Sequence, residues 1–366
     1  MHKFLPRLCK GLAAFASLTL AFGSQAASPP ALLDNNHAAV RAVMAAQQQV
    51  TGQWMQQREV LGTAVGLDAA GHPALVVYVD RDADNAAEVA RSLPAQVSGT
   101  GVRVELTEKF RAMGKPSGGG GGGVSHTAKQ TPPIQLGTSG GWSKDLANGY
   151  CCGGTLGSLV SIGGVQHILS NYHVFESDTV SGGNNTVATT GDPIIQPGLI
   201  DINCTAANGQ TVATLVKKNS LPNSNVDCSV AKVTTGMVAS NGSILEIGPI
   251  SKSTVGAAIN QAVKKSGRTT GFTRSTISGL NATVSITYDN ECAGGTAFTK
   301  TFTGQIVIAN KGSRFLDSGD SGSLMVEDVA TNPRAVGLLF AGSSSTAIAN
   351  PINEVLTFLG ATMVGN

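Results

Sequence analysis

Three side chains, widely spaced in the chain, carry the chemistry that this sequence suggests. His173 stands in Leu169-Ser170-Asn171-Tyr172-His173-Val174, Asp227 opens the apolar run Asp227-Cys228-Ser229-Val230-Ala231, and Ser321 lies in Gly319-Asp320-Ser321-Gly322-Ser323. A serine hydroxyl is a weak nucleophile until a neighbouring base takes its proton, and an imidazole held by a carboxylate is such a base. The flanking glycines allow a turn that aims the Gly319 and Ser321 N–H groups at one point, an oxyanion hole for a tetrahedral intermediate. The reading is therefore acyl transfer at Ser321, with His173 as base and then acid and Asp227 fixing its tautomer. Asp192 and Asp201 are the competing carboxylates. Asp227 is preferred because it alone heads an apolar strand between the other two motifs, where a buried carboxylate needs a strong partner.

The order histidine, aspartate, serine differs from the Ser, Asp, His order of α/β-hydrolases and the Asp, His, Ser order of subtilisin-like enzymes. The Gly-x-Ser-x-Gly elbow is absent too, because Ser323 stands where its last glycine belongs. With these motifs the chain resembles the chymotrypsin (trypsin-like) serine protease family over about residues 134–362. Gly191-Asp192-Pro193-Ile194-Ile195-Gln196-Pro197-Gly198, Lys265-Ser266-Gly267-Arg268-Thr269-Thr270-Gly271 and Gly337-Leu338-Leu339-Phe340-Ala341-Gly342-Ser343 look like a bacterial secreted group related to plant narrow-leaf proteases. The segment from Ser266 to Gly271 also resembles enzymes of the α-lytic protease type. The resemblance implies a trypsin-like double β-barrel, two perpendicular six-stranded barrels with the triad in the cleft between them, and an endopeptidase working through an acyl-enzyme. It further implies that Arg268 neutralises Asp320, that Phe315 lies at the specificity pocket, and that Phe340, Ala341 and Gly342 form the substrate-binding strand. Phe315 is no aspartate, so a preference for Lys or Arg is not expected. Neither a metal nor a cofactor is called for. The competing readings are a protease-like module whose occluded cleft binds peptides or envelope proteins and, behind it, a non-peptide esterase.

What surrounds these residues points to export. Lys3, Arg7 and Lys10 precede a short apolar run from Gly11 to Phe22, and Ser24-Gln25-Ala26 offers small residues for cleavage after Ala26. This pattern reads as a signal peptide over residues 1–26, since the run is shorter than the roughly 20 residues of a membrane span. Periplasmic or extracellular placement follows, with no stable membrane insertion after cleavage. Only 13% of the 366 residues are charged and the net charge is +2, which gives no electrostatic case for nucleic acid; a protein or peptide substrate is the expected partner. Export allows disulfides, and loss of Cys9 leaves Cys151, Cys152, Cys204, Cys228 and Cys292, an odd set with one thiol over. The pairing is open at this point, and no Cys-x-x-Cys or His pair marks a metal site.

The elements fall into two folded units. Residues 28–115 read as a small α+β domain: a helix from Ala38 to about Gln57 capped by Asn35 or Asn36, strands Gly62 to Leu67 and Ala74 to Val79, a helix from Ala86 to Leu93, and a strand from Val102 to Leu106. His37 and His72 have no partners and read as surface or capping residues. The unit suits a pro-region or an accessory domain. Residues 116–130, with Gly118 to Gly123, read as a linker open to proteolysis, because no Gly-Lys-Ser/Thr end supports a phosphate loop. Residues 131–366 read as all-β. Strands are expected at Gly154–Val160, Gln166–Ser170, Thr211–Lys217, Cys228–Val233, Ala262–Ser266, Ala282–Tyr288, Gly304–Ala309, Ser323–Glu327 and Ala335–Phe340. A closing helix is expected to have Asn350 as its cap, Pro351 at its first position, and Val355, Leu356 and Leu359 on its buried stripe.

Overall fold

The computed structural model describes residues 30–112, 124–147, 150–176, 187–288 and 298–366. The expected signal peptide, the run of glycines from Gly118 to Gly123, and Cys292 lie outside the described residues. Among those residues no helix is long and apolar enough to cross a membrane, and no group of three metal-ligating side chains occurs.

The N-terminal segment has the order helix, strand, strand, helix, strand. Helix α1 (Ala38–Trp54) and strands β1 (Val60–Leu67) and β2 (Pro73–Asp80) are followed by α2 (Ala86–Ser92) and β3 (Thr100–Thr107). Val40, Val43, Ala46 and Gln47 recur at helical spacing, and this face of α1 is buried. Neither Asn35 nor Asn36 caps the helix. Asp34 does the local work instead, its Oδ1 accepting from the Asn36 and His37 N–H groups at 2.9 and 3.0 Å. A short strand β4 (Phe110–Ala112) completes the segment.

The next strands are β5 (Thr138–Trp142), β6 (Gly154–Leu156), β7 (Ser158–Ile162), β8 (Val165–Ser170), β9 (Pro193–Gln196), β10 (Gln210–Val216) and β11 (Ser229–Val233). Hydrogen bonding joins them in the order β7, β8, β11, β10, β9, β5, β6. Only Gly157 separates β6 from β7, so one bent strand lies at both ends of the path and closes it into a barrel. Trp142, Leu156, Leu159, Ile168, Leu215 and Val230 fill the interior.

A second barrel is built from β12 (Ala262–Gly267), β13 (Gly271–Tyr288), β14 (Phe298–Ala309), β15 (Leu324–Glu327), β16 (Ala335–Gly342) and β17 (Thr346–Pro351). Its order is β12, β15, β16, β17, β14, β13, and the β12–β13 pairing closes the ring. Helix α4 (Ile352–Leu359) follows, and β18 (Thr362–Met363) returns to pair with β7. Together the strands and C-terminal helix make the trypsin-like double β-barrel.

Two features differ from the sequence reading. The N-terminal strands continue the second barrel's sheet, because β1 pairs antiparallel with β13 (Gly62↔Val284, Thr63↔Thr283). Gln47 fastens the same junction, donating to Thr63 Oγ1 at 3.1 Å and to the Asn281 carbonyl at 2.9 Å. Asn350 does not cap α4; it lies within the buried strand β17, whose last residue, Pro351, takes the cap position. Strands β5, β9 and β17 lacked a legible signal. The first is glycine-rich, and the last runs into Asn350 and Pro351, which carry helix-start signals.

The described part of the expected linker, residues 124–130, is held to the body. His126 is buried, with Nδ1 2.9 Å from the Gly137 carbonyl and Nε2 2.6 Å from Glu246 Oε2. Of the cysteines, Cys151 is bonded to Cys204, and Cys152 is disulfide-bonded as well. Among the described residues Cys228 is a free, buried thiol, and burial pushes its ionisation well up.

Candidate active site

The two barrels contribute different members of the site. Strand β8 ends at Ser170, and the short helix α3 (Tyr172–Phe175) that follows carries His173. Asp227 lies two residues before β11, so both belong to the first barrel. Ser321 precedes β15 of the second. All three are buried.

His173 and Asp227 form the pair expected from the sequence. His173 Nδ1 lies 2.6 Å from Asp227 Oδ2, which places the ring proton on Nδ1 as donor. Asp227 is fully buried and saturated with donors. Its Oδ1 accepts from the Tyr172 N–H at 2.7 Å and the His173 N–H at 3.4 Å, and its Oδ2 also accepts from the Tyr288 hydroxyl at 2.8 Å. Its own N–H donates to Asn350 Oδ1 at 2.9 Å, and its carbonyl accepts from Asn171 Nδ2 at 2.7 Å. A buried carboxylate is tolerable only when ringed in this way. The alternatives are engaged elsewhere: Asp192 accepts from Trp142 Nε1 and Lys144 Nζ, and Asp201 from Arg268.

His173 Nε2 is buried and has no hydrogen-bond partner among the described residues. The expected bond from Ser321 to His173 is not made. Ser321 Oγ instead donates to the Phe340 carbonyl at 3.2 Å.

The serine turn depends on its glycines. Gly319 has φ +96° and Gly322 has φ +91°, in the left-handed region that favours glycine. A Cβ on Gly322 would stand 2.2 Å from Ser170 Oγ and 2.3 Å from the Thr155 carbonyl, so no other residue fits. Thr155 bolts the turn to the first barrel. Its N–H donates to the Ser321 carbonyl at 2.8 Å, and its hydroxyl donates to the Gly319 carbonyl at 3.0 Å. Among the described residues, the Gly319 and Ser321 N–H groups have no hydrogen-bond acceptor.

Arg268 does not neutralise Asp320. Its guanidinium turns to Asp201, with Nε 2.9 Å from Oδ2, because the loop after β12 directs its backbone rather than its side chain at Asp320. Asp320 is held by Lys265 Nζ at 3.2 Å, and both side chains are fully buried. Burial pulls the Lys265 ammonium below the ordinary lysine range, and the Asp320 charge opposes that shift. Asp320 Oδ1 also accepts from the Thr269 and Thr270 N–H groups, at 2.8 and 3.1 Å. Its Oδ2 accepts from the Thr270 hydroxyl at 2.6 Å and the Asp317 N–H at 3.0 Å. Arg268 still supports the turn at one remove: its N–H donates to Thr155 Oγ1 at 3.0 Å, and Thr269 Oγ1 donates to the Ser318 carbonyl at 2.6 Å.

The expected specificity residues divide. Phe315 is fully buried in the second barrel, in one apolar cluster with Leu316, Val263 and Leu339. Phe340 is likewise buried, its ring 4.9 Å from Phe302. Ala341 and Gly342 lie where a substrate strand was expected, and β4 pairs with them antiparallel (Ala341↔Ala112, Gly342↔Arg111). Strand β4 also pairs in parallel with the end of β13. Beside it, a cavity of about 450 Å³ is lined by Arg111, Ala112, Arg314, Leu316, Ser318 and Gly342, among others.

Tyr288, Thr155, Lys265 and Asn350 were missed from sequence. For Lys265 a signal existed: strand alternation through Val263-Lys264-Lys265-Ser266 turns one lysine inward. Nothing local marks the others.

The Nal1 C-terminal domain family matches residues 214–350, a span that includes Asp227 and Ser321 but not His173. A glutamic acid-specific serine protease, described as using a histidine triad in substrate binding, is 19% identical, covering 63% of this chain and 100% of its own, with a TM-score of 0.41. Cellulomonas bogoriensis chymotrypsin is 20% identical over 64% of this chain and 99% of its own, with a TM-score of 0.39. Thermobifida fusca protease A is 19% identical over 58% and 92%, with a TM-score of 0.38. No curated protein matches the chain. At these identities the chemistry rests on the site itself.

Proposed function

We propose that this chain is an exported serine endopeptidase. Ser321 is the nucleophile, His173 the base and acid, Asp227 the orienting carboxylate, and the Gly319 and Ser321 N–H groups the oxyanion hole. One observation carries the reading: His173 is tied to a saturated, buried Asp227 through Nδ1 while its Nε2 is left without a partner, the state of a base awaiting a proton. Attack by Ser321 Oγ on a peptide carbonyl passes the hydroxyl proton to Nε2. The imidazolium then gives it to the leaving amine, and water repeats the cycle on the acyl-enzyme. The disulfide Cys151–Cys204 supports an exported setting.

A second reading, a closed cleft, is favoured by β4. An extended peptide adds to a sheet edge through main-chain hydrogen bonds, and residues 111–112 take that place along Ala341 and Gly342. Thr107 Oγ1 with Ser343 Oγ at 2.8 Å, and Ser344 Oγ with Glu108 Oε1 at 2.7 Å, seat the segment. Residues 28–115 then act as a pro-region that covers the non-primed side. In the protein beginning at Ala27, Arg111→Pro with Ala112→Pro removes the N–H groups β4 offers and is expected to raise hydrolysis of a denatured protein substrate at least about tenfold. The same change in a Ser321→Ala background is expected to give none. Equal hydrolysis before and after unseating β4 contradicts the covering role. Acylation of Ser321 by a small fluorophosphonate without peptide cleavage in any form favours the binding module.

A further inference from the structure

We infer that Tyr288 is a positioning residue of this site, its hydroxyl setting how the Asp227 carboxylate holds His173. The inference deepens the protease reading and rests on it.

Tyr288 touches both members of the pair. Its hydroxyl donates to Asp227 Oδ2 at 2.8 Å, the same oxygen that accepts from His173 Nδ1 at 2.6 Å. Its ring meets the imidazole edge to face, with centroids 5.9 Å apart and planes at 69°. The other hydrogen bonds to the Asp227 carboxylate come from the Tyr172 and His173 N–H groups on the adjoining helix and fall on Oδ1. Oδ2 is therefore shared between the imidazole and a phenol delivered from the other barrel.

The phenol is built to stay a donor. Burial first, then the Asp227 charge, push its ionisation well above the ordinary tyrosine range. The ring is clamped by Phe298, stacked at 4.8 Å with planes 6° apart, and Phe302 lies 6.5 Å away. Tyr288 pairs with Phe298 at the end of the long β13–β14 ladder, and β1 holds the same strand farther along. The paired strands thus carry one hydroxyl to one carboxylate oxygen. A buried hydroxyl donating to an ion is a strong hydrogen bond, and two donors on one oxygen divide its charge.

Tyr288→Phe removes the hydroxyl and keeps the ring contacts. Two readouts on the protein beginning at Ala27 test it: the ¹H shift of the His173 Nδ1 proton by NMR, and the rate of Ser321 acylation by a small fluorophosphonate. With Oδ2 no longer shared, the Nδ1 proton is expected to move further downfield, and acylation to slow about tenfold. Tyr78→Phe, an equally buried tyrosine that packs on Phe110, is the control and is expected to change neither. An unmoved proton overturns the inference whether or not the rate falls, since a packing defect alone lowers rate. A moved proton with an unchanged rate overturns it too. If wild type is never acylated but the proton moves, the coupling of Tyr288 to the pair stands and the protease reading fails.

Discussion

Asp227→Asn is expected to slow acylation of Ser321 by about 10⁴-fold while leaving the fold in place. The reason lies in which atoms face the carboxylate. Oδ1 faces the Tyr172 and His173 backbone N–H groups, which are donors and cannot reverse. The carboxamide oxygen of an asparagine must take that side, so its NH₂ replaces Oδ2 opposite His173 Nδ1. The imidazole then has to present Nδ1 as an acceptor, which puts its proton on Nε2 and ends its use as a base toward Ser321. The fold survives because the side chain keeps its shape and the bonds on the Oδ1 side. Acylation rates measured with a small fluorophosphonate decide the matter. A variant within tenfold of wild type removes Asp227 from the mechanism.

Lys265→Met is expected to cost about 3 kcal/mol of stability and to disable the oxyanion turn. Breaking a buried ion pair leaves one charge without its partner, here Asp320 directly before Ser321. The loss falls at the lower end of the usual range because Asp320 retains donors from Thr269, Thr270 and Asp317. Lys265 also loses its bonds to the Gly271 carbonyl, at 2.9 Å, and to the Thr270 hydroxyl. Methionine matches most of the lysine stem, so the effect reports charge rather than a cavity. Urea denaturation gives the size, and adding Asp320→Asn to Lys265→Met is expected to recover part of it. A single variant as stable as wild type, and acylated as fast, shows that the pair does not hold the turn. Arg268→Ala is a different case, because its partner is Asp201 and its link to the serine turn runs through Thr155.

The His173–Asp227 pair and the Ser321 turn were legible because their sequence signals are local. A histidine after an apolar strand, a carboxylate at the head of another, and a serine between glycines each announce themselves within a few residues. The double barrel was legible for the same reason, as short β-branched runs with turns between them. What supports the site was not. Tyr288 reaches Asp227 from 61 positions away and Asn350 from 123, so only the packed barrels bring them together. The Arg268 expectation failed on direction: the right loop embraces Asp320, but through backbone N–H groups and a lysine three residues earlier. Strand β4 shows a third limit. Phe110-Arg111-Ala112 carries no strand pattern, and its pairing exists because Ala341 and Gly342 leave an edge to fill.

The most direct test of the account is the mass of the intact protein beginning at Ala27 after exposure to a small fluorophosphonate, with peptide mapping of any adduct. The account predicts a single phosphonyl group on Ser321, absent from the Ser321→Ala protein. A folded protein that takes up no adduct, or takes it up at another residue, contradicts it.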